Sequence, residues 1–159
     1  MQSIHKKVMT DLLKISSSLS LLLILSACSS VNLITNKNFQ ANDTQWDQLY
    51  LRGVFNWWEA DDKFKLTKSG NFLYSTTVNL VADGQPYDFK FSDKDWSPGL
   101  NCGYLVQDSD EIIQLNAIVK ADCNTPVNNF KFTPTSSGNY TFHFLALPGK
   151  EPEVYITKV

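Results

Sequence analysis

Phe72-Leu-Tyr-Ser-Thr-Thr-Val-Asn-Leu80 places Phe72, Tyr74, Thr76, Val78 and Leu80 on one side of an extended chain. A period of two marks a half-buried strand, because successive side chains of a strand point to opposite faces. Lys68-Ser-Gly-Asn71 before it and Ala82-Asp-Gly84 after it are turn signals. The returning stretch Tyr87-Asp-Phe-Lys-Phe-Ser92 sets Tyr87, Phe89 and Phe91 against Asp88, Lys90 and Ser92. These two stretches read as a β-hairpin.

The same alternation continues outward. Residues 48–53 alternate and end at Gly53, and Phe64 and Leu66 alternate with Lys63, Lys65 and Thr67. Downstream, residues 101–106 and 112–119 read as short strands. Phe130 and Phe132 follow, then Tyr140, Phe142 and Phe144, then Val154 and Ile156. About 7–9 short strands with turns every 8–12 residues or so predict an all-β, antiparallel two-sheet sandwich, with a closed barrel as the competing architecture. After residue 27 no ten-residue stretch carries a helical period.

The chain has 159 residues, 13% aromatic and only 19% charged. Those values exclude a disordered charged tail, a coiled coil and a strongly basic nucleic-acid binder.

Residues 1–27 read as a secretory signal: Lys6 and Lys7 precede an apolar run centred on Leu21-Leu-Leu-Ile-Leu25, too short to span a membrane convincingly. Leu25-Ser-Ala-Cys28 resembles a bacterial lipobox. That resemblance implies acylation of Cys28, palmitate included, and Ser29 in the next position implies the outer membrane. The side of that membrane stays open. Without Lys6, Lys7, Lys14 and Asp11 the chain keeps 11 basic and 15 acidic side chains. A mildly acidic surface disfavours nucleic acid and anionic lipid as direct partners.

Residues 28–47, rich in Asn, Ser and Thr, read as a lipidated tether, and 48–159 as the folded domain. Trp46 is the odd residue of that tether: edge packing is the main reading, with a cap on the core or a presented ring as the alternatives. Cys102 and Cys123 in an oxidising compartment predict a disulfide. Their spacing lacks a C-x-x-C metal pattern and no histidine lies near, so no metal site is expected.

Catalytic patterns are missing. No G-x-S-x-G, H-E-x-x-H or phosphate loop is present. His143 sits mid-strand between two phenylalanines and reads as structural. Asp61 with Asp62 and Asp93 with Asp95 fall in loops, without the cleft of a glycosidase or the dense ligand spacing of a calcium loop. The reading is a protein with no enzymatic activity and no cofactor.

Asn56-Trp57-Trp58 and Asp95-Trp96-Ser97 carry the chemistry that remains. In a strand Trp57 and Trp58 would point to opposite faces, leaving one outside; which one stays open. Trp96 lies in a polar loop with no local apolar reason to be there. Exposed indoles with polar neighbours suit a sugar ring, whose C–H face stacks and whose hydroxyls need placed polar groups. Packing alone accounts equally well for any one of the three.

Leu49-Tyr-Leu-Arg-Gly-Val-Phe-Asn-Trp-Trp58 resembles the opening strand of starch- and glycogen-binding sandwich modules. Tyr87-Asp-Phe-Lys-Phe-Ser-Asp-Lys-Asp-Trp96 is similar to their hairpin. Asn129-Phe-Lys-Phe-Thr-Pro134, Gly138-Asn-Tyr-Thr-Phe-His-Phe144 and Pro152-Glu-Val-Tyr-Ile-Thr157 are similar to the closing strands of accessory domains in secreted bacterial pullulanases and amylases. The resemblance implies an immunoglobulin-like early-set sandwich that binds α-glucan without catalysis. It places the family's tryptophans on Trp58 and Trp96. Trp57 stands where the family usually has a small residue. An assisting lysine falls on Lys90 or Lys94. The function so implied is carbohydrate binding by a lipoprotein, through stacking on Trp57 or Trp58 and Trp96 with hydrogen bonds from Asn56, Lys94 or Asp95. The alternative is a protein-interaction or assembly lipoprotein that uses the same sandwich as an adaptor for a protein partner.

Overall fold

The computed structural model describes residues 43–159. The signal, the lipobox at Cys28 and most of the tether lie outside the described residues.

Nine strands form among the described residues: β1 (Tyr50–Gly53), β2 (Thr67–Gly70), β3 (Leu73–Leu80), β4 (Tyr87–Ser92), β5 (Asn101–Tyr104), β6 (Val119–Asp122), β7 (Phe130–Phe132), β8 (Gly138–Leu145) and β9 (Glu153–Lys158). The one α-helical turn described, α1, spans Gln107–Asp110. Every strand pairing is antiparallel and the order is β1-β4-β5-β6-β9-β8-β3-β2, with β7 beside β5 on the same edge of β4. The sheet curls into two layers: β1, β4, β5 and β7 face β2, β3, β8, β9 and β6. The layers join where Gly103 and Tyr104 pair with Asp122 and Ala121. Cys102 and Cys123, next on this ladder, form a disulfide. The fold is thus an all-β sandwich.

The expected hairpin does not form. β3 pairs with β2 and, over all eight residues, with β8. β4 pairs with β1, β5 and β7 in the opposite layer. Packing gives the reason. The apolar face of β4 meets the apolar face of β8 across the core, with Phe89 edge-on to Phe142 at 4.9 Å and Phe91 at 5.2 Å from Phe144. Residues 81–86 therefore cross between layers, and the Tyr87 hydroxyl holds that crossing by donating to the Val81 carbonyl at 3.0 Å.

Two expected strands are also irregular. Asp62–Phe64 is a 3-10 turn capped by Asp61, whose carboxylate accepts from the Lys63 amide at 2.9 Å. Residues 112–118 form no strand. The Asp110 carboxylate fixes this connection instead, accepting from the Val106 and Lys120 amides at 2.9 and 3.1 Å. The two outer edges approach each other: Lys65 bridges Tyr50, and the Leu66 amide donates to the Leu49 carbonyl at 2.9 Å.

The core is aromatic. Phe89, Phe91, Phe130, Phe132, Tyr140, Phe142 and Phe144 are all buried. It reaches upstream of residue 48: Trp46, in the 3-10 turn Asp43–Gln48, is buried and lies 5.2 Å from Phe144. Trp46 is therefore core rather than edge.

Candidate functional site

β1 ends at Gly53, where an added Cβ would sit 2.5 Å from the Asp88 carbonyl of the neighbouring strand. The chain then makes a 3-10 turn, Val54–Asn56, and runs into two consecutive left-handed residues, Trp57 (φ 54°) and Trp58 (φ 64°). Left-handed backbone costs a non-glycine residue roughly 1–2 kcal/mol, so surrounding structure must impose it. Asn56 supplies that structure. Its Oδ1 accepts from the Gly53 amide at 2.8 Å, and its Nδ2 donates to the carbonyls of Leu51 (3.0 Å) and Glu59 (3.1 Å). The Trp58 amide closes the turn on the Gly53 carbonyl at 3.0 Å. Asn56 is buried with its amide committed to this loop, so it shapes the site instead of facing a ligand. Trp57 is the indole that points out, 87% exposed, and Trp58 is half-buried.

The second loop follows β4. The Asp93 carboxylate accepts from the Ser97 amide at 2.8 Å, and the Leu100 amide donates to the Ser97 carbonyl at 2.9 Å. Trp96, at the tip, is also left-handed (φ 58°) and 36% exposed. All three tryptophans singled out in the sequence thus sit in strained, locally fixed backbone.

Arg52 joins the two loops. It is 6% exposed, its Nε donates to the Trp58 carbonyl at 2.6 Å, and its Nη1 donates to the carbonyls of Asp93 (2.7 Å) and Lys94 (3.3 Å). Its guanidinium carbon stacks 3.6 Å from the centroid of the Trp96 ring. One face of that indole is therefore occupied from within, and only the other is open. Burial pulls the Arg52 pKa down, against the Glu59 and Asp93 carboxylates that pull it up. The group stays a cation, which the ring quadrupole favours. Sequence reading passed over Arg52. Its one signal was a charged residue in a short strand whose other residues bury.

Lys90 and Lys94 separate cleanly. Lys90, opposite Arg52 on the ladder, is 2% exposed and donates to the Thr125 carbonyl at 2.5 Å. Burial lowers its pKa to about 8, with Asp122 pulling the other way. Lys94 is exposed, with Nζ 5.7 Å from the Tyr50 ring centroid, and Asp95 beside it is exposed. Gln48, Tyr50, Lys65, Asp93, Lys94 and Asp95 line a polar groove of about 280 Å³. Trp57, Trp58, Trp96, Lys94 and Asp95 thus come from two loops held by one arginine. Among the described residues no three His, Cys, Asp or Glu side chains converge as a metal site.

No protein-family model matches the chain, and no curated protein matches it in sequence. Among solved structures it is similar to one described as the ligand-induced structure of AmyP-SBD, with a TM-score of 0.50 and 16% identity. The match covers 69% of this chain and 70% of that one. At this identity the likeness is one of fold.

Proposed function

We propose that this protein is a non-catalytic carbohydrate-binding lipoprotein whose ligand is an α-glucan. The observation that carries the reading is the exposed pair Trp57 and Trp96, held in strained loops that Arg52 ties together. Backbone strain at Trp57, 87% exposed, has almost no burial to offset it, and at Trp96 only the Arg52 contact does; such strain collects at functional sites. The fold likeness to a starch-binding domain supports the same class of ligand. Trp57 and the free face of Trp96 take the sugar's C–H faces, while Lys94 and Asp95 supply a donor and an acceptor for its hydroxyls. Trp58 contributes its carbonyl to Arg52 and a partly exposed ring. Binding is weak, because a short sugar gains little beyond the cost of its desolvation and ordering.

In the same proposal residues 1–27 are a signal, Cys28 carries the lipid that anchors the chain to the outer membrane, and the sandwich is displayed beyond a short tether. Titration calorimetry with maltoheptaose against a β-glucan control tests the sugar claim. Saturable heat with the α-glucan, lost in Trp96→Ala with the fold intact, is the expected result; no heat at millimolar sugar rejects it.

One observation favours the adaptor reading instead. Leu105, Val106, Ile112, Leu115 and Ile118 are all exposed within the single connection between β5 and β6. Exposed apolar side chains grouped in this way are a feature of protein-contact surfaces.

A further inference from the structure

We infer that the binding surface does not end at Trp96 but continues into the polar groove beside it, so that the ligand is a neutral glycan read over at least two linked rings. The inference rests on the carbohydrate reading above and adds to it the residues Gln48, Tyr50 and Lys65, from outside the two tryptophan loops.

Groove and indole share a wall. Asp93, Lys94 and Asp95 line the groove and lead directly into Trp96. Arg52 grips the carbonyls of Asp93 and Lys94 while its guanidinium backs the indole. The distance between groove and ring is therefore fixed by a buried side chain rather than left to a mobile loop. The floor is equally rigid. Tyr50 is buried, pairs with Ser92 on the sheet, and its hydroxyl donates to Asp62 Oδ1 at 3.2 Å.

Size points to one ring. At about 280 Å³ the groove falls just below the roughly 300–1,000 Å³ that enclose drug-sized ligands. That volume has room for a pyranose ring. With a second ring on the free face of Trp96, the site spans a disaccharide unit.

Charge points to a neutral polyol. Lys65 and Lys94 hold their ammonium groups 5.8 and 5.7 Å from the Tyr50 ring centroid, and neither forms an ion pair among the described residues. Their charge is balanced by Asp93 and Asp95 in the same lining, while Gln48 offers both a donor and an acceptor. A mix of donors and acceptors with no net charge matches hydroxyls and opposes both an apolar body and a strongly anionic one.

The test is an NMR titration of the whole protein, following the Trp96 indole N–H, with methyl α-glucoside as the one-ring probe and maltose as the two-ring probe. Wild type is expected to bind maltose about tenfold tighter than the monosaccharide, the gain of one or two net hydrogen bonds. Lys65→Ala should erase most of that gain, read as the ratio of the maltose and monosaccharide constants at the Trp96 indole. Lys65→Arg, which keeps a cationic donor, should restore it. Equal affinities for both probes in wild type, or a Lys65→Ala variant that keeps the full gain, overturn the groove inference while leaving sugar binding at Trp96 standing. No shift of the Trp96 signal with either sugar or with maltoheptaose rejects the carbohydrate reading itself, and the groove with it.

Discussion

The Arg52 guanidinium packs 3.6 Å from the Trp96 ring centroid while the same side chain donates to the Trp58 carbonyl, so one buried cation sets the relative position of the two tryptophan loops. Lysine cannot copy this, because it has neither the planar face nor the fork of donors. Arg52→Lys should cost about 1.5–3 kcal/mol of stability, the value of lost hydrogen bonds to a charged group. It should also weaken glucan binding about tenfold through misplacement of Trp96. Urea unfolding and calorimetry read the two effects separately. Unchanged affinity in a destabilised variant would leave Arg52 a purely structural residue.

Trp57 offers a test in the opposite direction. It is left-handed and 87% exposed, so its ring contributes strain and almost no burial. Asparagine tolerates left-handed backbone better than any bulky residue. Trp57→Asn should therefore raise stability by roughly 1 kcal/mol and lower sugar affinity. A variant that is less stable than wild type would show that the indole packs in a way its exposure conceals.

Lys90 predicts a pH signature. Its pKa falls from 10.5 in the unfolded chain to about 8 in the fold. Between those values the unfolded chain holds the proton that the folded one has released. Stability contributed by this group therefore rises as pH climbs from about 8 to about 10.5, and below 8 its burial cost is fully present. In thermal melts, wild type minus Lys90→Met should grow more favourable to wild type across that window. A difference that stays flat, or falls, contradicts the assignment.

The disulfide between Cys102 and Cys123 closes the connection that carries α1 and clamps the two layers where β5 meets β6. Its 21-residue separation implies about 3 kcal/mol by chain entropy. The double variant Cys102→Ser with Cys123→Ser should lose that much in denaturant unfolding while retaining the β-sheet circular dichroism spectrum.

Much of this arrangement can be read from the sequence, and the exceptions share a physical cause. Alternation exposes β3, β4, β8 and β9, because each has one face in the core; Tyr140, Phe142 and Phe144 bury as their spacing predicts. Partner choice is hidden. The turn residues between β3 and β4 look alike whether the chain folds back beside itself or crosses to the other layer, and only the packing of Phe89 on Phe142 decides. Trp96 stands out as an indole in a polar loop. Which of Trp57 and Trp58 faces out depends on two consecutive positive φ values, and these follow from Asn56 gripping Leu51, Gly53 and Glu59. Asn56 looked like a ligand contact because side-chain amides commonly are; here the backbone takes all of it. Arg52 was invisible because a charge in a strand reads as a solvent-facing position.

The most direct test is an NMR titration with maltoheptaose that follows the indole N–H signals of all four tryptophans. Trp57 and Trp96 face solvent while Trp46 is buried in the core. The account predicts saturable shifts at Trp57 and Trp96 with one common dissociation constant, and none at Trp46. Signals that stay in place at millimolar glucan, or shifts confined to residues remote from both loops, would contradict it.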